Sequence, residues 1–131
     1  MLGGSTTVIM YWLVKSEPES YAIETFQKDK NVIWDGVRNY TARNNLKSMI
    51  LGDVCVFYRS VTKPAAIALC KVAQEYFQDP TTDLPAWVSV KLEFDSLLKK
   101  EVLLLIKQSR LSVQPLSEFE FEEIMRMSER L

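Results

Sequence analysis

Three stretches in the middle of the chain alternate between faces over lengths that suit β-strands. In the first, Val54, Val56 and Tyr58 alternate with Cys55, Phe57 and Arg59. The second runs over residues 66–77. The third covers 87–98 and alternates through Val88, Val90, Leu92 and Phe94. A period of two sends successive side chains to opposite faces of a sheet, so the centre of the chain is read as sheet, with helices on its flanks. On the first flank, Tyr11-Trp12-Leu13-Val14 reads as a short buried strand that Pro18 ends. Ser20 is placed to cap a short helix with Ile23 and Phe26 on one face. An extended run over 31–34 meets an Asp35-Gly36 turn. A helix over 41–50 turns Ala42, Leu46, Met49 and Ile50 inward and Arg43, Asn44 and Lys47 outward, and Gly52-Asp53 closes it. On the last flank, the apolar run over 102–106 is either strand or short helix. Ser117-Glu118-Phe119-Glu120 has the form of a capping box, opening a terminal helix that buries Phe121, Ile124, Met125 and Leu131. Strands framed by helices in 131 residues predict one α+β domain, residues 10–131, built on a small curled or closed sheet. Residues 1–9, with Gly3, Gly4 and Ser5, read as a flexible leader.

Composition narrows the chemistry. The chain has no histidine, which removes Ser-His-Asp and Cys-His nucleophiles and His-ligated zinc. Its two cysteines, Cys55 and Cys70, form no CxxC pair and read as buried reduced thiols or one disulfide. No apolar run approaches the ~20 residues that span a bilayer, and no secretory signal is visible, so the expected location is intracellular, nucleus or cytoplasm, without membrane contact. The net charge is -1, which does not suit coating nucleic acid by bulk electrostatics. The charge is uneven, however. Between residues 34 and 64, Arg38, Arg43, Lys47, Arg59 and Lys63 stand against Asp35 and Asp53, while the terminal helix carries five Glu against two Arg. A local basic patch of this kind is either a solvated helix face or a focused contact with a few phosphates.

Three further stretches carry a resemblance. They are Tyr11-Trp12-Leu13-Val14-Lys15-Ser16-Glu17-Pro18, Trp34-Asp35-Gly36-Val37-Arg38-Asn39-Tyr40-Thr41-Ala42-Arg43-Asn44, and Gln108-Ser109-Arg110-Leu111-Ser112-Val113-Gln114-Pro115-Leu116. In this order they resemble the EVE domain, a PUA-like family. Weaker matches lie at Gly52-Asp53, at Phe57-Tyr58-Arg59-Ser60 and at Tyr76-Phe77-Gln78-Asp79-Pro80. The resemblance implies a PUA-like small β-barrel of five or six strands flanked by helices. It also implies a cleft that takes a flipped, modified base: a 5-substituted cytosine in DNA or a modified base in RNA. No cofactor or metal is implied, and a monomer is expected. The chain departs from the family pattern at Arg59, where a histidine is usual, and at residues 64–69, which replace a glycine-containing turn. It also has shorter stretches after Asp79 and Leu98.

A base reader must stack the ring, read its edge and hold its phosphate. The resemblance places Lys15, Ser16, Trp34, Asp35, Val37, Arg38, Asn39, Tyr40, Arg43, Tyr58, Arg59, Ser60, Arg110 and Ser112 at the base site. Trp34 and Tyr58 supply stacking faces or are core residues. Asp35, Asn39 and Ser16 have the donors and acceptors to read a polar edge. Lys15, Arg38, Arg43 and Arg110 can hold phosphate oxygens. Alternatively, Arg38 or Arg43 braces Glu17 or Asp35 internally, and Arg110 joins a buried pair. The competing reading is an enzyme acting on a nucleic acid or nucleotide derivative in the same cleft, with Glu17 or Asp35 as general base and Lys15 or Lys63 as its partner. Ser60-Val61-Thr62-Lys63 also fits a bare SxxK pattern.

Overall fold

The computed structural model describes residues 8–103 and 111–129. Six strands and three helices follow one another as β1 (Tyr11–Ser16), α1 (Ile23–Asp29), β2 (Asn31–Trp34), α2 (Tyr40–Ser48), β3 (Val54–Arg59), β4 (Ala65–Gln78), β5 (Val88–Val102), β6 (Val113–Leu116) and α3 (Glu118–Glu129). They form one sheet in the order β2-β5-β4-β3-β1-β6. The long runs predicted from alternation are β4 and β5, of 14 and 15 residues, which pair antiparallel through several bulges. Each bulge adds local twist, and together they curl the sheet.

The one parallel pair in that sheet is β1 with β3, from Tyr11↔Val54 to Ser16↔Arg59. Parallel neighbours need a long crossover. Here residues 17–53 supply it, and they carry α1, β2 and α2. β2 pairs with β5 at the far edge of the sheet, yet the chain reaches it directly from β1, which lies beside the opposite edge strand β6. The curl of the sheet brings those two edges toward each other and shortens that connection. The expected strand number is met, but the barrel is not closed: β2 and β6 remain as two edges with a seam between them.

Alternation divides the sheet's residues between two apolar clusters. Trp12, Val14, Phe57, Cys55 and Cys70 face the inside of the curl with Phe26 of α1 and Leu46 of α2. Leu13, Val56, Tyr58 and Ala66 face outward and are covered by Ile124 of α3. The capping box forms as the sequence predicts. The Glu120 N–H donates to Ser117 Oγ at 3.0 Å, and the Ser117 N–H donates to Glu120 Oε1 at 2.9 Å.

Two expectations are corrected. Ser20 does not cap α1, whose N-cap is Ala22 without a side-chain hydrogen bond. Ile50 lies beyond α2 and is exposed, because the helix stops at Ser48 and Asn39 caps its start. The apolar run over 102–106 begins as the end of β5, and its remainder lies outside the described residues, as does Leu131. Cys55 and Cys70 are cross-strand partners, both free and buried. The neighbouring Cys70 thiol and burial push the Cys55 thiol well up.

Candidate functional site

The seam between the two sheet edges is a cleft of about 590 Å³. One wall is the end of β1 with the turn that follows it, from Lys15 to Tyr21, together with Ser112 beside it. The other wall is β2 with residues 35–39. Backbone bonds hold the first wall. The Lys15 N–H donates to the Ser112 carbonyl, and the Ser20 and Tyr21 N–H groups donate to the Glu17 carbonyl, each at 2.9 Å. The Ser16 hydroxyl closes the same turn by donating to the Tyr21 carbonyl at 2.6 Å. At the cleft floor, Trp34 is 8% exposed and packs edge-on against Phe57 and Tyr21, with the Tyr21 ring 88° from its plane. The cleft thus has a mostly buried aromatic floor, Trp34, with the Tyr21 ring standing at a right angle to it. The Tyr21 hydroxyl is buried without a hydrogen-bond partner among the described residues. Its pKa is raised by burial and by the Asp29 carboxylate. Burial also pulls the Lys15 ammonium below the ordinary lysine range.

The second wall is fastened from behind by Asp79, which is 0% exposed. Its Oδ2 accepts from the Gly36 N–H and from Arg38 Nη1, both at 2.9 Å, and its Oδ1 accepts from the Thr81 N–H and hydroxyl. Gly36 takes φ +77°, a left-handed conformation that suits glycine and lets its N–H face the carboxylate. Burial alone would raise the Asp79 carboxyl. The hydrogen bonds from Thr81, Arg38 and Gly36 outweigh it and hold the group well below the usual carboxylate range.

Of the residues the sequence pointed to, Lys15, Ser16, Trp34, Asp35, Val37, Arg38, Asn39 and Ser112 line this cleft. Three of them are partly committed: the Ser16 hydroxyl donates to the Tyr21 carbonyl, the Asn39 Oδ1 caps α2 by accepting from the Ala42 N–H, and Arg38 binds Asp79. The internal brace expected for Arg38 exists, but its partner is Asp79 instead of Glu17 or Asp35. Tyr58 lies elsewhere. It is 5% exposed in the outer cluster under α3, so its ring cannot stack on a ligand in the seam. Arg59 forks onto Glu101 and donates to the Lys63 carbonyl, and it borders a smaller hollow behind Tyr21. The Ser60 N–H donates to the Ser16 carbonyl, a scaffold bond. Among the described residues no hydrogen bond joins Ser60 to the Lys63 ammonium. Tyr40 and Arg43 sit outside the cleft, at its rim. Arg110 lies outside the described residues.

Besides Glu17, which the enzyme reading named, Ser20, Tyr21, Val32, Ile33 and Gly36 line the cleft without having been placed at the base site, and Asp79, which backs its wall, was not placed there either. Tyr21 follows a turn, where no periodicity applies. Asp79 belongs to one of the weaker family matches, which was the only signal available for it.

Comparison with known proteins agrees with this geometry. The family model described as EVE domain matches residues 10–127. Mouse thymocyte nuclear protein 1 is 32% identical over 173 residues, covering 96% of this chain and 76% of the mouse protein. That span exceeds the 131 residues here, so the relative carries insertions that this chain lacks. The human THYN1 protein, solved in complex with 5-methylcytosine-containing DNA, superposes with TM-score 0.85 at 29% identity, covering 93% of this chain and 99% of that one. A hypothetical protein from Leishmania major gives 0.82 at 35% identity, covering 93% and 96%. A YTH domain from Zygosaccharomyces rouxii, solved with N6-methyladenosine RNA, gives 0.59 at 10% identity, covering 99% and 93%, and shares the fold alone.

Proposed function

The chain belongs to the EVE domain family, and from that premise we propose that it binds nucleic acid and holds one modified base, turned out of its stack, in the seam cleft. The observation that carries this is the aromatic floor, Trp34, with the Tyr21 ring perpendicular to it, in a cleft with a polar lip. The size of the cleft falls within the range of small-molecule sites, about 300–1,000 Å³. The human relative solved with 5-methylcytosine-containing DNA supports the same ligand class.

On this reading the base lies against Trp34, with the Tyr21 ring at its edge. Asp35 accepts from an exocyclic amine. The Asn39 amide, whose oxygen is already used by the helix cap, offers its N–H groups to a ring carbonyl. Val37 gives a 5-substituent an apolar contact. Lys15 takes a phosphate or carbonyl oxygen. Discrimination then comes from filling the apolar contact, which an unmodified base leaves empty, while the polar edge sets which base is accepted. The protein works inside the cell, where its nucleic acid is.

The test is fluorescence-polarisation titration against matched DNA and RNA strands. These carry cytosine, 5-methyl-, 5-hydroxymethyl- or 5-formylcytosine, or N6-methyladenine, in single- and double-stranded form. One modified base is expected to bind at least about tenfold more tightly than its unmodified partner. Trp34→Ala is expected to remove that preference, and Asp35→Ala to weaken binding of cytosine and of its 5-substituted forms alike. Because Trp34 is also core, Asp35→Ala on the exposed lip keeps the test valid if the tryptophan variant unfolds. Binding that ignores every modification overturns base capture.

A further inference from the structure

Outside the cleft, α2 presents a face that the fold does not need. Ala42 and Leu46 bury the inner side of the helix, while Tyr40, Arg43 and Lys47, at spacings of three and four, share the outer side. Tyr40 is 61% exposed. Its ring stacks on Trp87 at 4.9 Å between centroids and 31° between planes. The Arg43 guanidinium lies over Tyr40 at 5.2 Å, Arg38 lies over Trp87 at 5.5 Å, and the Lys47 ammonium lies over Tyr76 at 5.4 Å. Arg38, Trp87, Tyr40 and Arg43 therefore form one chain of contacts, and the Lys47–Tyr76 pair lies one helical turn further along α2. This surface begins at the cleft lip, since Arg38 lines the cleft, and follows α2 away from it for about 10 Å.

Of the three cations, Arg38 is paired with Asp79, and the other two carry charge that no carboxylate among the described residues pairs with. α2 contains no acidic residue, and neither Arg43 nor Lys47 forms an ion pair among the described residues. Arg43 donates from Nη1 to the Ala86 carbonyl at 2.7 Å and from Nε to Asn44 Oδ1 at 2.8 Å. These bonds orient the guanidinium and leave three of its five N–H groups for an outside acceptor. Oriented arginine forks beside exposed aromatic rings match a phosphate backbone with bases on either side of it.

We propose that the Tyr40–Trp87 stack with Arg43 and Lys47 is a second binding surface, which holds the nucleotides flanking the captured base through their phosphates and ring faces, whatever their sequence. It extends the base-capture reading, yet it predicts something separate: binding of an unmodified single strand in which the cleft takes no part.

The experiment titrates the full chain with unmodified and 5-methylcytosine-carrying single-stranded DNA 12-mers, and with the corresponding 3-mers, at low and moderate salt. In the intact protein the 12-mers are expected to bind more tightly than the 3-mers. Tyr40→Ala, Arg43→Gln and Lys47→Gln should each weaken both 12-mers about five- to tenfold. The two charge variants should each lower the salt slope by about 0.7, the value for one phosphate contact on a single strand. The ratio between methylated and unmodified strands should stay unchanged in all three. Tyr40 and Lys47 are exposed, so their variants fold, and a melting curve checks this. If the 12-mers bind and these variants leave affinity and salt slope unchanged, the second surface is wrong while base capture stands. If the variants weaken binding and no strand is preferred, base capture of 5-methylcytosine is wrong while the second surface stands. If neither 12-mer binds, the second surface and the capture of 5-methylcytosine both fall.

Discussion

Asp53 and Asp79 are both sealed from solvent, at 2% and 0% exposure, but they serve two different ends of the molecule. Among the described residues Asp53 accepts only from neutral donors, all in the scaffold: the Met10 N–H, the Trp12 indole and the Ile50 N–H, at 3.0 to 3.1 Å. It ties the start of β1 to the exit from α2. Asp79 also accepts from backbone N–H groups, but it adds a cation, Arg38, whose side chain is 41% exposed at the cleft lip. The difference teaches how the fold divides its labour. A buried carboxylate satisfied by neutral donors fixes the frame alone. One that reaches a half-exposed arginine links the frame to the binding surface, so whatever disturbs it is felt at the ligand.

The largest effect should come from Asp53→Ala. It strands three donors and is expected to cost about 3–5 kcal/mol, visible as a fall in Tm of about 10 °C or more. The folded fraction should keep its affinity for the preferred strand, and a loss of affinity at low temperature would erase the contrast between the two residues. Asp79→Asn keeps the shape but loses the ion pair and acceptor capacity. The expected cost is about 2 kcal/mol in urea unfolding, together with about tenfold weaker strand binding as the 35–39 wall loosens. Unchanged binding would place Asp79 with Asp53 as pure scaffold.

Acid sharpens the comparison. The folded carboxyl of Asp79 is held below its unfolded value. Its contribution is therefore complete above that value, near pH 4, and is lost as the pH falls through the folded pKa. Because Asp79→Asn has lost the contribution at every pH, the stability gap between it and the intact protein should narrow below about pH 4. A gap that widens in acid would contradict the assignment. The smallest effect belongs to Arg38→Lys. It keeps the charge but not the fork and should cost under about 1 kcal/mol, because the arginine is half-exposed. Its salt slope for strand binding should stay as it was.

What the residues revealed and what they hid follow a physical line. Local rules worked where neighbours in sequence are neighbours in space. Alternation marked β3, β4 and β5, and the Ser117–Glu120 capping box formed as read. The Ser20 cap failed because helix nucleation waited for Ala22, and the Ser20 N–H went instead to the turn at Glu17. Tyr58 failed as a cleft residue because alternation tells which residues share a face but not which face meets the seam.

The sequence by itself determined the α+β class, the two-faced strands, the basic segment between residues 34 and 64, and the family motifs around Trp34. Only the tertiary structure decided that the barrel stays open, that Tyr21 stands perpendicular to Trp34, and that Asp79 reaches back 43 residues to Gly36. The reason is range. Side-chain periodicity and capping act over a few residues along the chain. The cleft is made where two sheet edges approach, and the curl that brings them together is set by bulges and by a crossover spanning residues 17–53, neither of which a local pattern records.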